Sequence, residues 1–381
     1  DVVVSSRSER LLTGTLQGED LSWGDEADIY LEGVVKVSAG LELSIGPGTR
    51  IFLGKDARLE ISGSLNAIGP VLFTRASEEA WGGLVIGSGG TATLDNTWFV
   101  GGGGDDSKAF GHSASQPVVK ASSGVLTLTG GGVVDSPGKA VGGYKALMTL
   151  TDFLISRCDT GGEIVQSTLV ASGLHVLEIP DGDGELDDDD NDGMYFVGIR
   201  EVNGEVVGST LTDVVFSVGE DDAIDHNDAE LTVTHAWIEG FEHEGIAASG
   251  GRSLTVSDAV IQGCDQGIEA GYGDPQVIVQ RSLVTGNRVG LRFGDSYSWE
   301  DEGSLDVSHS VSVENTEANV MNLTDTGAPK AGAIQINCSM VDDVAFDGID
   351  GNVSGVPDWH ADGCVQAPPC DEQALGPDVC D

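Results

Sequence analysis

Residues 244–264 and 266–287 read EGIAASGGRSLTVSDAVIQGC and QGIEAGYGDPQVIVQRSLVTGN. Written one above the other they keep the same rhythm: two or three short alternating stretches, broken at Gly, Asn or Asp. The preceding line, DAIDHNDAELTVTHAWIEGF (222–241), and the following one, VGLRFGDSYSWEDEGSLDVSHSVSVEN (289–315), fit the same frame. Ile224, Ile246, Ile268 and Leu291 fall in one column with steps of 22, 22 and 23. Val233, Val256, Val279 and Val307 form a second, and Ile238, Ile261 and Val284 a third. The insertion around SYSWEDEG explains the one long step, of 28 residues, in the second column. A period of 22–23 residues with strand-like alternation and no helical spacing predicts a parallel β-helix. Each coil supplies three short strands, and like side chains stack into internal ladders. A leucine-rich repeat has a similar period, but its L-x-x-L-x-L frame and helical half are missing. Right-handed winding follows from the general chirality of parallel crossovers.

The same grammar runs back through STLTDVVFSVG (209–219), LMTLTDFLISRC (147–158) and LTLTGGGVVDS (126–136). The reading is therefore all-β: an N-terminal strand or cap over 1–19, a parallel β-helix over 20–345 with an Asp-rich insertion at 181–193, and a cysteine-containing tail over 346–381. Thr-x-Thr pairs in LTLT (126–129) and LTVT (231–234) stand isolated in the sequence, short of the ladder an ice-binding face requires. Cys158 and Cys264 both follow the third strand of their coils and are expected as buried free thiols. Cys338, Cys364, Cys370 and Cys380 crowd a Gly-, Pro- and Asp-rich end where a core is hard to build, and no C-x₂-C spacing suggests zinc. These four are expected as disulfides in an oxidising compartment, Cys338–Cys364 and Cys370–Cys380 being the preferred of three pairings.

The N-terminal run VSAGLELSIGPGTRIFLGKDARLEISGSLNAIG, with VLFTRA and WGGLVIG after it, resembles the opening coils of secreted bacterial right-handed β-helix proteins. The stretch DDAIDHND…HEGIAASGGRSLTV…CDQGIEAGYGDPQV…GLRFGD resembles β-helix regions of predicted bacterial surface proteins, some attached to CotH-type spore-coat kinase domains. The resemblance covers roughly residues 20–350 and implies the fold and an extracellular setting. It implies no defined activity, and no kinase motif is present.

Composition bounds the partners. The chain has 381 residues, 56 of them Gly and only 6% aromatic, and carries 63 acidic against 18 basic residues for a net charge of −45. Such a field repels nucleic acid, anionic lipid and polyanionic glycans and attracts divalent cations. No apolar run reaches the ~18 residues of a membrane span. The chain opens on the strand-like DVVVSS without a leader, the form expected of an exported protein whose presequence has been removed.

The loop DGDGELDDDDNDG (181–193) holds eight carboxylates between the apolar runs LHVLEI and MYFVGI. Aspartates at alternate positions beside Gly let oxygen ligands converge on Ca²⁺. Asp188, Asp190, Asp192 and Gly193 fit the first half of an EF-hand loop, but Ile199 stands where the closing Glu belongs, so a full EF-hand is excluded. The expected calcium ligands are Asp181, Asp183, Asp187, Asp188, Asp190 and Asp192. A hydrated insertion is the competing structural reading. A catalytic reading also exists: NDG (191–193), Asp221–Asp222, His243 and Arg292 resemble, in order, motifs of polygalacturonase-like glycosidases. That resemblance implies an inverting hydrolase using Asp192, Asp222 and His243. The departures are that no Thr precedes Asp192, Glu244 replaces a Gly, and no Lys follows Arg292. Asp222 and Asp225 also fit as turn residues, and the seven His are expected at the surface. Three functions follow: a non-catalytic structural or adhesive β-helix binding calcium and a glycan or cell-surface component, a glycoside hydrolase, and a fibre subunit or homo-oligomer assembled end to end through its exposed strand edges.

Overall fold

The computed structural model describes residues 7–180, 190–295, 301–324, 326–341 and 353–354. It falls into two compact units, Asp1–Gly182 and Asp183–Asp381, so the division lies inside the acidic loop. Both are parallel β-helices. In the second unit one sheet is built from Met194–Val197, Ile224–Asn227, Glu244–Gly250, Gln266–Gly273, Val289–Phe293 and Ala318–Asn322. Its registers pair Met194 with Ile224, Ile224 with Ile246, Ile246 with Ile268, Ile268 with Leu291 and Leu291 with Val320, all parallel. The second sheet stacks Leu211, Val233, Val256, Val279, Val307 and Ile336. The third stacks Phe216, Ile238, Ile261 and Val284. All three columns read from the sequence are therefore real ladders, and their side chains are almost wholly buried. At about 1.5–3 kcal/mol per buried aliphatic, these ladders are the main stabilising term.

The first unit repeats the arrangement. Ile29, Ile51, Phe73, Phe99, Val133, Ile155 and Val176 share one column. Phe73 and Phe99 stack with centroids 5.0 Å apart. The parallel ladder already begins at Ser8–Thr15, which pairs with Ala27–Val37, within the segment assigned to the N-terminal cap.

Corners between the second and third sheets are tight because one residue per coil takes the left-handed conformation. Asp213, His235, Asp258, Arg281 and His309 sit there with φ of 54°, 53°, 54°, 48° and 51°. For a non-Gly residue this costs about 1–2 kcal/mol, and stacking of opposite charges partly offsets it. His235 Nδ1 lies 3.3 Å from Asp213, and Arg281 makes a two-pronged bond to Asp258 at 2.7 and 2.6 Å. Inward polar ladders satisfy other turn amides, as buried donors require. The backbone N–H of Cys264 donates to Asn287 Oδ1 (2.9 Å) and that of Asn287 to Asn315 Oδ1 (3.0 Å). Cys158 and Cys264 are free and buried, as expected, and burial pushes both thiols up, to about 12 and about 11. Cys338 is disulfide-bonded; Cys364, Cys370 and Cys380, and with them both expected pairings, lie outside the described residues.

Three features were not read from the sequence. An antiparallel hairpin, Arg200–Val202 with Glu205–Val207, interrupts the second unit. Asn203 and Gly204 at its tip both have positive φ, the requirement of a two-residue turn between twisted strands. It accounts for the long step from Met194 to Ile224. The Thr-x-Thr pairs are not isolated: Thr93, Thr127 and Thr149 share a column in the first unit, and Thr210, Thr232 and Thr255 in the second. An insertion hides the step from Thr93 to Thr127, whereas Thr210, Thr232 and Thr255 keep the 22–23-residue period and were legible. The third is His226, expected at the surface and found fully buried between Phe196 and Ala248.

The His226 Nε2 bonds the Ala229 carbonyl, while Nδ1 has no hydrogen-bond partner. Burial holds this imidazole below its ordinary value. A group with a depressed folded pKa contributes stability that is complete above the unfolded value, ~6.5, and is lost as pH falls through that range. His226→Leu should therefore flatten the loss of melting temperature between about pH 7 and pH 5. The difference between variant and wild-type curves isolates this group from carboxylates that titrate in the opposite sense. Parallel curves would show that His226 stays neutral at no cost.

Candidate functional site

The chemistry concentrates on one margin of the first sheet in the second unit. Two residues before each stacked aliphatic stand Asp192, Asp222, Glu244 and Gln266; one residue after stand Tyr195, Asp225, Ala247, Glu269 and Arg292. Between them runs a column of close approach. At Gly245, Gly267 and Gly290 an added Cβ would lie 2.7, 2.5 and 2.7 Å from the next coil's carbonyl oxygen. Only glycine fits there, and its absent side chain lets the flanking carboxylates draw together.

Four acids of these columns are almost inaccessible: Asp192 at 2%, Asp222 at 6%, Glu244 at 4% and Glu269 at 6% exposure. Asp222 Oδ1 accepts the backbone N–H of Glu244 at 2.7 Å. Gln266 Nε2 donates to Glu244, and its Oε1 accepts from Arg292 Nη1 at 2.9 Å. The same Arg292 nitrogen lies 3.1 Å from Glu269. His243 Nδ1 lies 2.9 Å from Glu244, 3.2 Å from Asp221 and 3.8 Å from Asp222. Carboxylate oxygens of Asp192, Asp222 and Asp225 all come within 4.8 Å of one another, as do ligand atoms of Asp221, Asp222 and His243. Asp192 Oδ1 has no hydrogen-bond partner. Asn227 Nδ2 reaches the hydroxyls of Tyr195 (3.4 Å) and Tyr272 (3.3 Å) beside this cluster.

Burial separates the protonation states. Asp192 is pushed well above the usual carboxylate range by burial and then by Asp225 and Asp221. Asp222 is raised by burial and by Glu244. Glu269 is raised by burial and by Glu244, against the pull of Arg292. Glu244 goes the other way: burial pushes it up, but its hydrogen bonds with His243 and Asp222 outweigh that. His243, bonded to Asp221 and Glu244, is pushed up to about 11 and is an imidazolium at neutral pH. Adjacent Asp222 and Glu244 thus form an acid beside a base, the arrangement that assigns opposite proton roles to two carboxyls.

Of the residues singled out in the sequence, Asp192, Asp222 and His243 are brought together, with Arg292 on the same face. Asp190 is described and exposed, whereas Asp181, Asp183, Asp187 and Asp188 lie outside the described residues. Asp225 is part of a half-buried strand and not merely a turn residue. Sequence reading missed Glu269, Gln266 and the role of Glu244. The signal was present, because Asp222, Glu244 and Gln266 repeat at the same 22-residue step as the aliphatic ladder beside them.

No protein-family model and no curated protein sequence matches the chain. Among solved structures it is similar to the periplasmic alginate epimerase AlgG, at 12% identity over 87% of this chain and 77% of that one, with a TM-score of 0.44. It is also similar to pectate lyase Pel9A (12%, 89% and 82%, TM-score 0.35). A third is the A-module of the Azotobacter vinelandii mannuronan C-5 epimerase AlgE4 (11%, 77% and 86%, TM-score 0.23). At these TM-scores none bears on what the chain does, and the fold rests on the strand registers themselves. Among the described residues no helix is long and apolar enough to cross a membrane.

Proposed function

We propose that this chain is an extracellular β-helix protein that binds a glycan along the carboxylate margin of its second unit, in a structural or adhesive role. The observation that supports this is the register of hydrogen-bonding side chains on that margin. Asp221, Asp225, His243 and Arg292 leave polar groups part-exposed along this margin, over the buried Asp222, Glu244, Gln266 and Glu269, on coils about 4.8 Å apart. An extended sugar chain offers hydroxyls along its length at a comparable repeat. With a net charge of −45, the glycan is neutral or amine-bearing rather than a polyanion. Calorimetry with neutral, amino-sugar and uronate oligosaccharides tests this. Binding of the first or second class, weakened at least tenfold by Asp221→Asn at a part-exposed position, is expected; binding confined to uronates, or to none, contradicts it.

Glycoside hydrolysis is the second reading, favoured by the Asp222–Glu244 pair, whose shifts run in opposite directions, and by Asp192, whose burial favours the protonated form that a leaving oxygen needs. Under it, Asp222→Asn lowers turnover about 10²–10⁴-fold with melting intact. Calcium in the 181–193 loop, an end-to-end homo-oligomer or fibre, right-handed winding and the tail disulfides Cys338–Cys364 and Cys370–Cys380 belong to the same proposal. Mild reduction should then loosen the tail and leave the β-helix folded.

A further inference from the structure

We infer that Asp192, Asp222 and Asp225 form a divalent-cation site on the coil stack itself, sharing only Asp192, near the end of the acidic loop, with the loop's expected ligand set, and independent of whether the margin binds a glycan. Three carboxylates from two adjacent coils place oxygens within 4.8 Å of one another. Ligands at 2.3–2.6 Å from one Ca²⁺ ion can be separated by at most about twice that distance, so all three fit a single coordination shell. The second observation is Asp192. It is 2% exposed, gives one carboxylate oxygen to this cluster, and its Oδ1 has no hydrogen-bond partner. A buried carboxylate left so carries a desolvation cost that only a cation or a proton relieves.

Nearby cations are committed elsewhere. Arg292 is held by Glu269 and Gln266, and His243 sits closest to Glu244 and Asp221, 3.8 Å from Asp222. The donor set is all oxygen, which selects calcium, magnesium or manganese over zinc. Asp192 precedes the strand Met194–Val197 by two residues and Asp222 precedes the strand stacked on it, Ile224–Asn227, by two, while Asp225 lies within that strand. An ion at this place staples two coils that a long step in sequence separates. It does so where the charge of the margin would otherwise push them apart.

Tyr195, the register partner of Asp225, supplies a readout, because its ring can sensitise terbium, a calcium surrogate. Terbium titrated into the full chain under tyrosine excitation should give enhanced emission that excess calcium displaces. Asp222→Asn/Asp225→Asn should abolish that emission, whereas Asp188→Asn/Asp190→Asn in the loop should retain it. Tyr195→Phe should lose emission while calorimetry still shows terbium binding. Should the double variant not fold, Asp225→Asn alone is expected to weaken terbium binding at least tenfold. Emission that survives Asp222→Asn/Asp225→Asn, or that disappears with the loop pair, overturns the site. Glycan calorimetry in chelator separates this outcome from failure of the glycan reading.

Discussion

Lys139→Met is expected to destabilise the first unit by about 3–5 kcal/mol, the penalty for leaving one member of a buried ion pair uncompensated. Lys139 is wholly inaccessible, and its ammonium lies 2.6 Å from Glu163, itself 2% exposed. Glu163 also accepts the backbone N–H of His112 through both oxygens, at 3.0 and 2.9 Å. The Phe110 ring covers Lys120 and Lys139 at 3.7 and 5.7 Å. One carboxylate thus fastens the Phe110–His112 segment to the coils, and without Lys139 its buried charge keeps only the more distant, half-buried Lys120 as a counter-charge. Lys139→Met/Glu163→Leu should recover part of the loss, because the double change removes the stranded charge. A single-variant loss below ~1 kcal/mol in denaturant titration would show that water reaches Glu163.

Ile268→Ala should cost about 2–5 kcal/mol, since the column offers little room to collapse around the missing atoms. Ile268 is fully buried between Ile246 and Leu291, each held in place by its own coil. In a solenoid each coil is stabilised mainly by its two neighbours, so a hole in the middle weakens both interfaces. Thr232→Ala, on an exposed position of the second sheet, serves as the control and should change stability by no more than about 0.5 kcal/mol. Equal effects from both substitutions would contradict the ladder.

Those two predictions draw on different amounts of sequence information. The Ile268 column was legible because the stacked side chains do nothing but pack, and packing repeats with the coil. The Lys139–Glu163 pair was not: it joins two stacked coils, but the charged residues read as surface ones until Phe110 and His112, from a stretch outside the repeat, close over them. His226 escaped for a related reason: it occupies an inward position, but its polar identity argues for the surface. The site was half legible. Asp192, Asp222 and His243 stood out by their neighbours in sequence, whereas Glu269 and Gln266 acquire meaning only once coils are stacked. Ser312 marks the limit of the third column. It lies under Val284 in register and bonds the Asn319 carbonyl at 2.7 Å, so an inward position turns polar where asparagines line the turn.

The account turns on charge gathered on the margin of the coil stack, and the direct test is a crystal of the full chain grown in calcium and measured for anomalous scattering. The prediction is a peak bonded to Asp192, Asp222 and Asp225 at ordinary calcium–oxygen distances, about 2.3–2.6 Å. A peak held only by residues 181–190, or none at saturating calcium with Asp192 Oδ1 still lacking a partner, would contradict it.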